Sequence, residues 1–132
     1  MRKRAFFFLV ALSLLANCST SANKAKALEE IQRFHQNFNN NDFSSMYDVL
    51  DEEGRMGTSL ERFTAEMSAM RKGQGAVLKS EEVATEYLYD NGKPKTRLLV
   101  SVTYEKGTAR EEFVFSHSTG KTSLSGYRFL GP

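Results

Sequence analysis

The sequence predicts an α+β domain in which three helices pack on a strongly curved, four-stranded antiparallel meander. Apolar residues recur at spacings of three and four up to about residue 72, and at a spacing of two from about residue 77. Short turn sequences separate the later segments, and strands joined by short turns must be antiparallel. The helices therefore precede the sheet in the chain, and the two layers bury their apolar faces against each other.

Three helices are expected, and each has its own boundary residues. The first begins near Ala25, and the second begins at Asn41 or Asp42, either of which is a good N-cap. The third opens with a capping box in which Thr58 is the N-cap and Glu61 its partner. The predicted inner positions are, in chain order, Leu28, Ile31, Phe34 or His35, Phe38, Phe43, Met46, Tyr47, Leu50, Leu60, Phe63, Met67 and Met70.

Four strands are expected over residues 77–89, 96–106, 109–118 and 122–130. Gly, Asn and Asp punctuate them at residues 90–94, 106–108 and 118–121, as turns require. Alternation puts two sets of residues each on one face of its strand: Leu98, Val100, Val102 and Tyr104 on the second, and Glu111, Phe113, Phe115 and His117 on the third.

The N-terminus has the three regions of an export signal. Arg2, Lys3 and Arg4 form a positive region, and an apolar stretch follows from Ala5 to Ala16. A helix needs roughly 20 apolar residues to cross a bilayer, so this stretch is too short to be a membrane span. It is expected to be removed.

The stretch ends in Leu15-Ala16-Asn17-Cys18, which resembles the lipobox of bacterial lipoproteins. The resemblance implies cleavage between Asn17 and Cys18 and attachment of lipid to Cys18, the one cysteine of the chain. Asn17 departs from the commoner Gly, Ala or Ser, and the alternative is an ordinary secretory signal. Several acyl chains would hold the protein durably on a membrane. Ser19, rather than Asp, implies the outer membrane, facing the periplasm, if the cell has two membranes.

The expected organisation is a lipoprotein signal peptide at residues 1–17, a lipidated polar tether at 18–26 and a single α+β domain at 27–132. Without its first 17 residues the chain has 115 of its 132 residues, enough for one core. Three of the 18 basic residues lie in the signal, so 15 basic and 16 acidic residues remain, a formal charge of −1. That balance argues against nucleic-acid binding.

Helix, helix, capped helix and then a long-stranded meander is the element order of the cone-shaped, cystatin-like fold of the nuclear-transport-factor-two-like superfamily. The chain resembles small envelope proteins of that superfamily at residues 41–47, 58–63, 71–75 and 125–129. The resemblance implies either an isomerase- or dehydratase-like enzyme or a module that binds a ligand or partner in the cone. No catalytic motif of the superfamily can be matched residue by residue, so no catalytic residue is predicted.

The candidate pocket or partner surface consists of Tyr104, His117, Arg97 and Tyr127, because tyrosine and arginine favour protein contacts and His117 is in phase with Phe113 and Phe115. His35 is expected to be a packed, hydrogen-bonded core residue. Two histidines and no free thiol predict no metal site and no cofactor. Adjacent carboxylates such as Glu111 and Glu112 point to opposite faces of a strand, and the acidic run from Asp51 to Glu53 is expected to be a solvated loop.

The sequence therefore predicts a membrane-anchored, non-enzymatic lipoprotein that binds an envelope protein or small ligand. Two alternatives stay open: an immunity lipoprotein that neutralises a periplasmic toxin, and an isomerase- or hydratase-like enzyme with a pocket in the cone. No oligomeric state is predicted.

Overall fold

The computed structural model describes the backbone of residues 11–132 and the side chains from Ser19 onward. The predicted positive region of the export signal, Arg2 to Arg4, lies outside the described residues. The elements are, in chain order, α1 (Ala11–Asn39), α2 (Phe43–Asp48), α3 (Glu52–Arg55), α4 (Leu60–Gln74), β1 (Val77–Asp90), β2 (Lys93–Tyr104), β3 (Gly107–Ser118) and β4 (Lys121–Gly131). The α+β class and the antiparallel order β1-β2-β3-β4 are confirmed.

The prediction of three helices is wrong for the described residues, which form four. The additional helix is α3, a single turn inside the acidic run that was expected to be a solvated loop. Asp51 is its N-cap, and the Asp51 carboxylate accepts a hydrogen bond of 2.9 Å from the Gly54 N–H. A short polar run has no apolar periodicity, so Asp51, a good N-cap residue, is the one local sign of this helical turn in the sequence.

Helix α1 is much longer than the sequence predicted. It was expected to begin near Ala25, but the described helix already begins at Ala11 and includes residues 18–26, the predicted tether. Its buried stripe starts at Ala27, which is fully buried, whereas the predicted core residue Leu28 is 36% exposed. Ala, Leu and Lys are good helix formers, so the helix extends toward the N-terminus beyond its buried stripe.

The N-cap of α4 is Ser59, not Thr58, because the Ser59 hydroxyl accepts the hydrogen bond from the Arg62 N–H. Leu60, the first residue of the helix, is 40% exposed rather than buried, while Phe63 and Met67 are buried as predicted. Helix α2 begins after Asp42, one of the two predicted caps.

The core lies between the helices and one side of the sheet, which we call the core face. All members of the two predicted strand faces are buried there: Leu98, Val100, Val102, Tyr104, Glu111, Phe113, Phe115 and His117. Helix α1 supplies Ile31, Phe34 and Phe38 from above, and the Phe34 and Phe113 rings meet edge to face with centroids 5.2 Å apart. The opposite side of the sheet is called the outer face.

Strand β1 is an edge strand, and no residue in it is buried. Its first residue is fastened to α1, because the Asn39 side chain accepts a 2.7 Å hydrogen bond from the Val77 N–H and donates a 3.0 Å bond to the Val77 carbonyl. Over the residues that the structure describes, no helix has both the length and the apolar character that a membrane span requires.

Candidate functional site

A groove runs between helix α1 and strand β1, and we call it the α1–β1 groove. Its volume is about 610 Å³, which lies in the range of ligand pockets. The helix wall carries Ala25, Leu28, Glu29, Ile31, Gln32, His35, Gln36 and Asn39, and the opposite wall and floor carry Val77, Leu78, Lys79, Ser80, Glu82 and Val100. The groove exists because α1 packs on the core face and lies beside β1 without burying any of its residues.

The walls of the α1–β1 groove offer apolar and polar contacts together. Leu78 is 65% exposed on the strand wall and Leu28 is 36% exposed on the helix wall. The charged side chains beside them are neutralised by neighbours: Lys24 forms a 2.6 Å salt bridge with Glu82, and this bond lowers the pKa of Glu82. A ligand would therefore meet apolar surface bordered by paired charges.

A cluster of buried polar groups lies beneath the groove, on the core face. Glu111 is fully buried, and its Oε2 is 2.9 Å from the Nε2 atom of His35. Its other carboxylate oxygen accepts a hydrogen bond from the Tyr104 hydroxyl. Buried carboxylates are tolerated where such partners satisfy them, so α1, β2 and β3 are joined at this point.

The two tyrosines of this region remain protonated donors. Burial raises the pKa of Tyr104, and the nearby Glu111 carboxylate raises it further. Burial likewise raises the pKa of Tyr127, followed by the charge of Glu111. The arrangement that satisfies every group is a Glu111 carboxylate that accepts from the Tyr104 hydroxyl and from a His35 Nε2–H.

His35 is the member of the cluster that borders the groove. It is 6% exposed and lines the groove, while Glu111 and Tyr104 are closed off behind it. A histidine that is oriented by a carboxylate is a common arrangement for holding one imidazole tautomer. The expectation that His35 is a packed, hydrogen-bonded residue is met, and its partner lies 76 residues away in the chain.

A second polar cluster lies on the outer face, around α3. The Lys95 ammonium group donates hydrogen bonds of 2.8 Å to Glu53 and 3.1 Å to Asp90. The bond to Glu53 raises the pKa of Lys95. Partial burial raises the pKa of Asp51, but hydrogen bonds from Ser125, the Gly54 N–H and Ser123 outweigh this and hold it below its usual value. These bonds fasten α3 to the sheet, and an adjoining cavity of about 450 Å³ is lined by charges of both signs.

The four predicted pocket residues do not meet at one place. Tyr104 and Tyr127 both lie near Glu111, and the Tyr127 ring packs 4.9 Å from the Phe34 ring. His117 is buried elsewhere, between the hydroxyls of Thr96 and Thr122. Arg97 lies on the outer face, where it forms an exposed 3.0 Å salt bridge with Glu86.

Glu111 and His35 are the residues that sequence reasoning did not bring together. Alternation already put Glu111 on the same face as Phe113 and Phe115, and that pattern was the available indication that Glu111 is buried. In the part of the chain with described side chains, no group of three or more His, Cys, Asp or Glu residues is arranged to hold a metal ion.

No protein-family model and no curated protein sequence matches this chain. Its fold is similar to a solved structure of the Bdellovibrio bacteriovorus protein Bd1075, with a TM-score of 0.53 and 10% sequence identity. The similarity covers 82% of this chain but 40% of that one, so this chain spans less than half of its length. The likeness supports the α+β fold and carries no activity with it.

Proposed function

We propose that this chain is an exported lipoprotein, held at a membrane by lipid on Cys18, whose domain is a non-enzymatic binding module. The α1–β1 groove is the proposed binding site for an envelope protein or a small ligand. The observation that carries this proposal is the groove itself, because it is open, about 610 Å³ in volume and bordered by exposed Leu28 and Leu78. The proposed domain family is the nuclear-transport-factor-two-like superfamily.

Two features favour binding over catalysis. Glu111 and Tyr104, which are 0% and 2% exposed, are enclosed by the core and have no direct access to a ligand. Phe34, Phe113 and Phe115 fill the core face, where a catalytic cone needs open space. The cluster at Glu111 is thus positioned to stabilise the α1–sheet packing.

Site-specific photocrosslinking in intact cells tests the groove. We expect a photoreactive residue at Leu78 to capture a partner and one at Arg128, on the outer face, to capture none. Both side chains are about two-thirds exposed, so accessibility is matched. Equal yields from both positions, or none from either, would overturn the groove as the site. A captured toxin would assign the immunity role.

The lipid anchor has a separate test. The Cys18→Ser variant should incorporate no labelled fatty acid and should leave the membrane fraction, because Cys18 supplies the one thiol of the chain. An Asn17→Ala variant, which brings the tetrapeptide closer to the lipobox, should retain label and location. Unchanged labelling of the Cys18→Ser variant would contradict the anchor.

An isomerase- or hydratase-like enzyme is the second candidate, and the contact between His35 and Glu111 favours it. A histidine that borders a groove and is oriented by a carboxylate has the arrangement of a general base. If the domain is an enzyme, a compound that binds the groove is converted and the His35→Gln variant binds it without conversion. If the domain is a binding module, the wild-type protein returns the compound unchanged.

A further inference from the structure

The N-terminal end of α1 with described side chains lies against one end of the sheet. Ser19, Thr20 and Asn23 border a cavity of about 420 Å³ together with Tyr87, Tyr89 and Pro94 of the β1–β2 hairpin. Farther along, Lys24 contacts Glu82, and Asn39 contacts Val77. Helix α1 therefore runs antiparallel to β1, and Ser19, the residue after Cys18, is at the hairpin end of the domain.

This end of the domain carries exposed tyrosines. Tyr89 is 76% exposed and Tyr87 is 49% exposed. A tyrosine has an apolar ring and a polar hydroxyl, so it is enriched where a membrane meets water. Exposed tyrosines therefore suit such an interface.

The charges at the same end fit a lipid headgroup layer. Lys93 and Lys121 are exposed, and neither forms a salt bridge with a residue whose side chain is described. Asp90 and Glu53 are paired with Lys95, and Glu86 is paired with Arg97. Glu52, which forms no salt bridge with a described side chain, lines the same cavity as the two lysines. Anionic headgroups attract each lysine near the surface by about 1 kcal/mol, so the exposed Lys93 and Lys121 are the groups that would contact them.

The opposite end of the sheet is the natural comparison. Leu130 and Phe129 are also exposed there, 45% and 37%, but Ser19, which follows the proposed lipid attachment site, lies at the hairpin end. Strand β2 has 12 residues, and at roughly 3.3 Å per residue the two ends are about 40 Å apart. An anchor at Cys18 thus selects which end can touch the bilayer.

We propose that the β1–β2 hairpin rests on the membrane, with Tyr87 and Tyr89 in the headgroup layer and Lys93 and Lys121 on anionic lipid. This inference rests on the proposed lipid at Cys18, because the anchor brings the hairpin to the bilayer. The domain then stands on its hairpin end, with the α1–β1 groove rising away from the lipid along α1.

Tryptophan quenching tests this orientation, because the chain has no tryptophan of its own. The Tyr89→Trp and Leu130→Trp variants would be purified in lipidated form and reconstituted into vesicles of phosphatidylethanolamine and phosphatidylglycerol. Lipids brominated near the headgroup should remove about half or more of the emission of the Tyr89→Trp variant, because an indole ring also prefers the interface. The Leu130→Trp variant should keep its emission. Both positions are exposed, so both variants should fold.

Flotation of the same vesicles separates the two proposals. Protein that floats without quenching at position 89 overturns the hairpin contact and leaves the lipid anchor intact. Equal quenching at positions 89 and 130 also overturns it, because the domain then lies flat. Protein that carries no acyl chain and does not float overturns both. If the hairpin contact holds the domain upright, replacing Tyr87 and Tyr89 by Ser in the lipidated Leu130→Trp variant should let the domain tilt. Quenching at position 130 should then increase.

Discussion

Strands β1 and β2 are neighbours in one sheet and have similar lengths, yet they have opposite burial. From Leu98 to Tyr104, strand β2 alternates between buried and partly buried positions because the helices cover its core face, whereas no residue of the 14 in β1 is buried. The buried strand carries Leu98, Val100 and Val102, and the edge strand carries charges and two exposed tyrosines. The buried strand therefore contributes to stability, and the edge strand β1 supplies surface for contacts.

The largest effect is expected where α1 meets β3. Phe113 is fully buried and its ring contacts the rings of Phe34, Phe115 and Tyr127. The Phe113→Ala variant should lose about 3–5 kcal/mol of unfolding free energy, since a large cavity remains. The Tyr89→Ala variant should stay within about 0.5 kcal/mol. Urea unfolding measures both variants. Similar losses of unfolding free energy would contradict the contrast between the buried strands and the edge strand β1.

An intermediate effect is expected at the buried carboxylate. The Glu111→Gln variant offers one acceptor oxygen to two donors, Tyr104 and His35, and leaves one of them facing an amide N–H. We expect a loss of about 1–3 kcal/mol. The Glu112→Gln variant is the matched control, because Glu112 pairs with exposed Arg128 on the outer face, and it should cost about 0.5 kcal/mol or less. Thermal and urea unfolding compare the two, and equal losses would contradict a structural role for Glu111.

The smallest effect concerns pH and His117. Burial lowers the pKa of His117, and the charge of Lys26 lowers it further. The unfolded chain therefore binds a proton more readily than the folded one, so stability is complete above pH of about 6.5 and declines as the pH falls through that value. The His117→Gln variant should show a shallower decline between pH 7.5 and 5.5 in urea unfolding. An unchanged slope would contradict the assignment.

The sheet was predictable because its turns and faces have local causes. Asn91 and Gly92 at the first turn, Gly107 at the second and Gly120 at the third all have positive φ, which few other residues adopt easily. Each turn fixed the ends of two strands to within about three residues. Alternation then assigned the core face correctly.

The candidate site was not predictable because its parts are distant in the chain. Glu111 is buried next to His35, but a period of two reports which face a residue occupies and not which helix covers it. The early start of α1 and the single turn of α3 had no apolar periodicity to mark them. Tyr104, His117, Arg97 and Tyr127 were grouped by residue type, and the sheet distributes them over two faces.

The contacts that join the helices to the sheet link residues that are distant in the chain, and this affects the order of folding. The meander joins each strand to the next one in the chain, so its contacts are local. Forming them therefore costs little loop-closure entropy. The hydrogen bond from Ser125 to Asp51 spans 74 residues, and the contact from His35 to Glu111 spans 76. We expect the hairpins to form first and α1 to dock late, which leaves the sheet's core face exposed until the N-terminal helix returns to it.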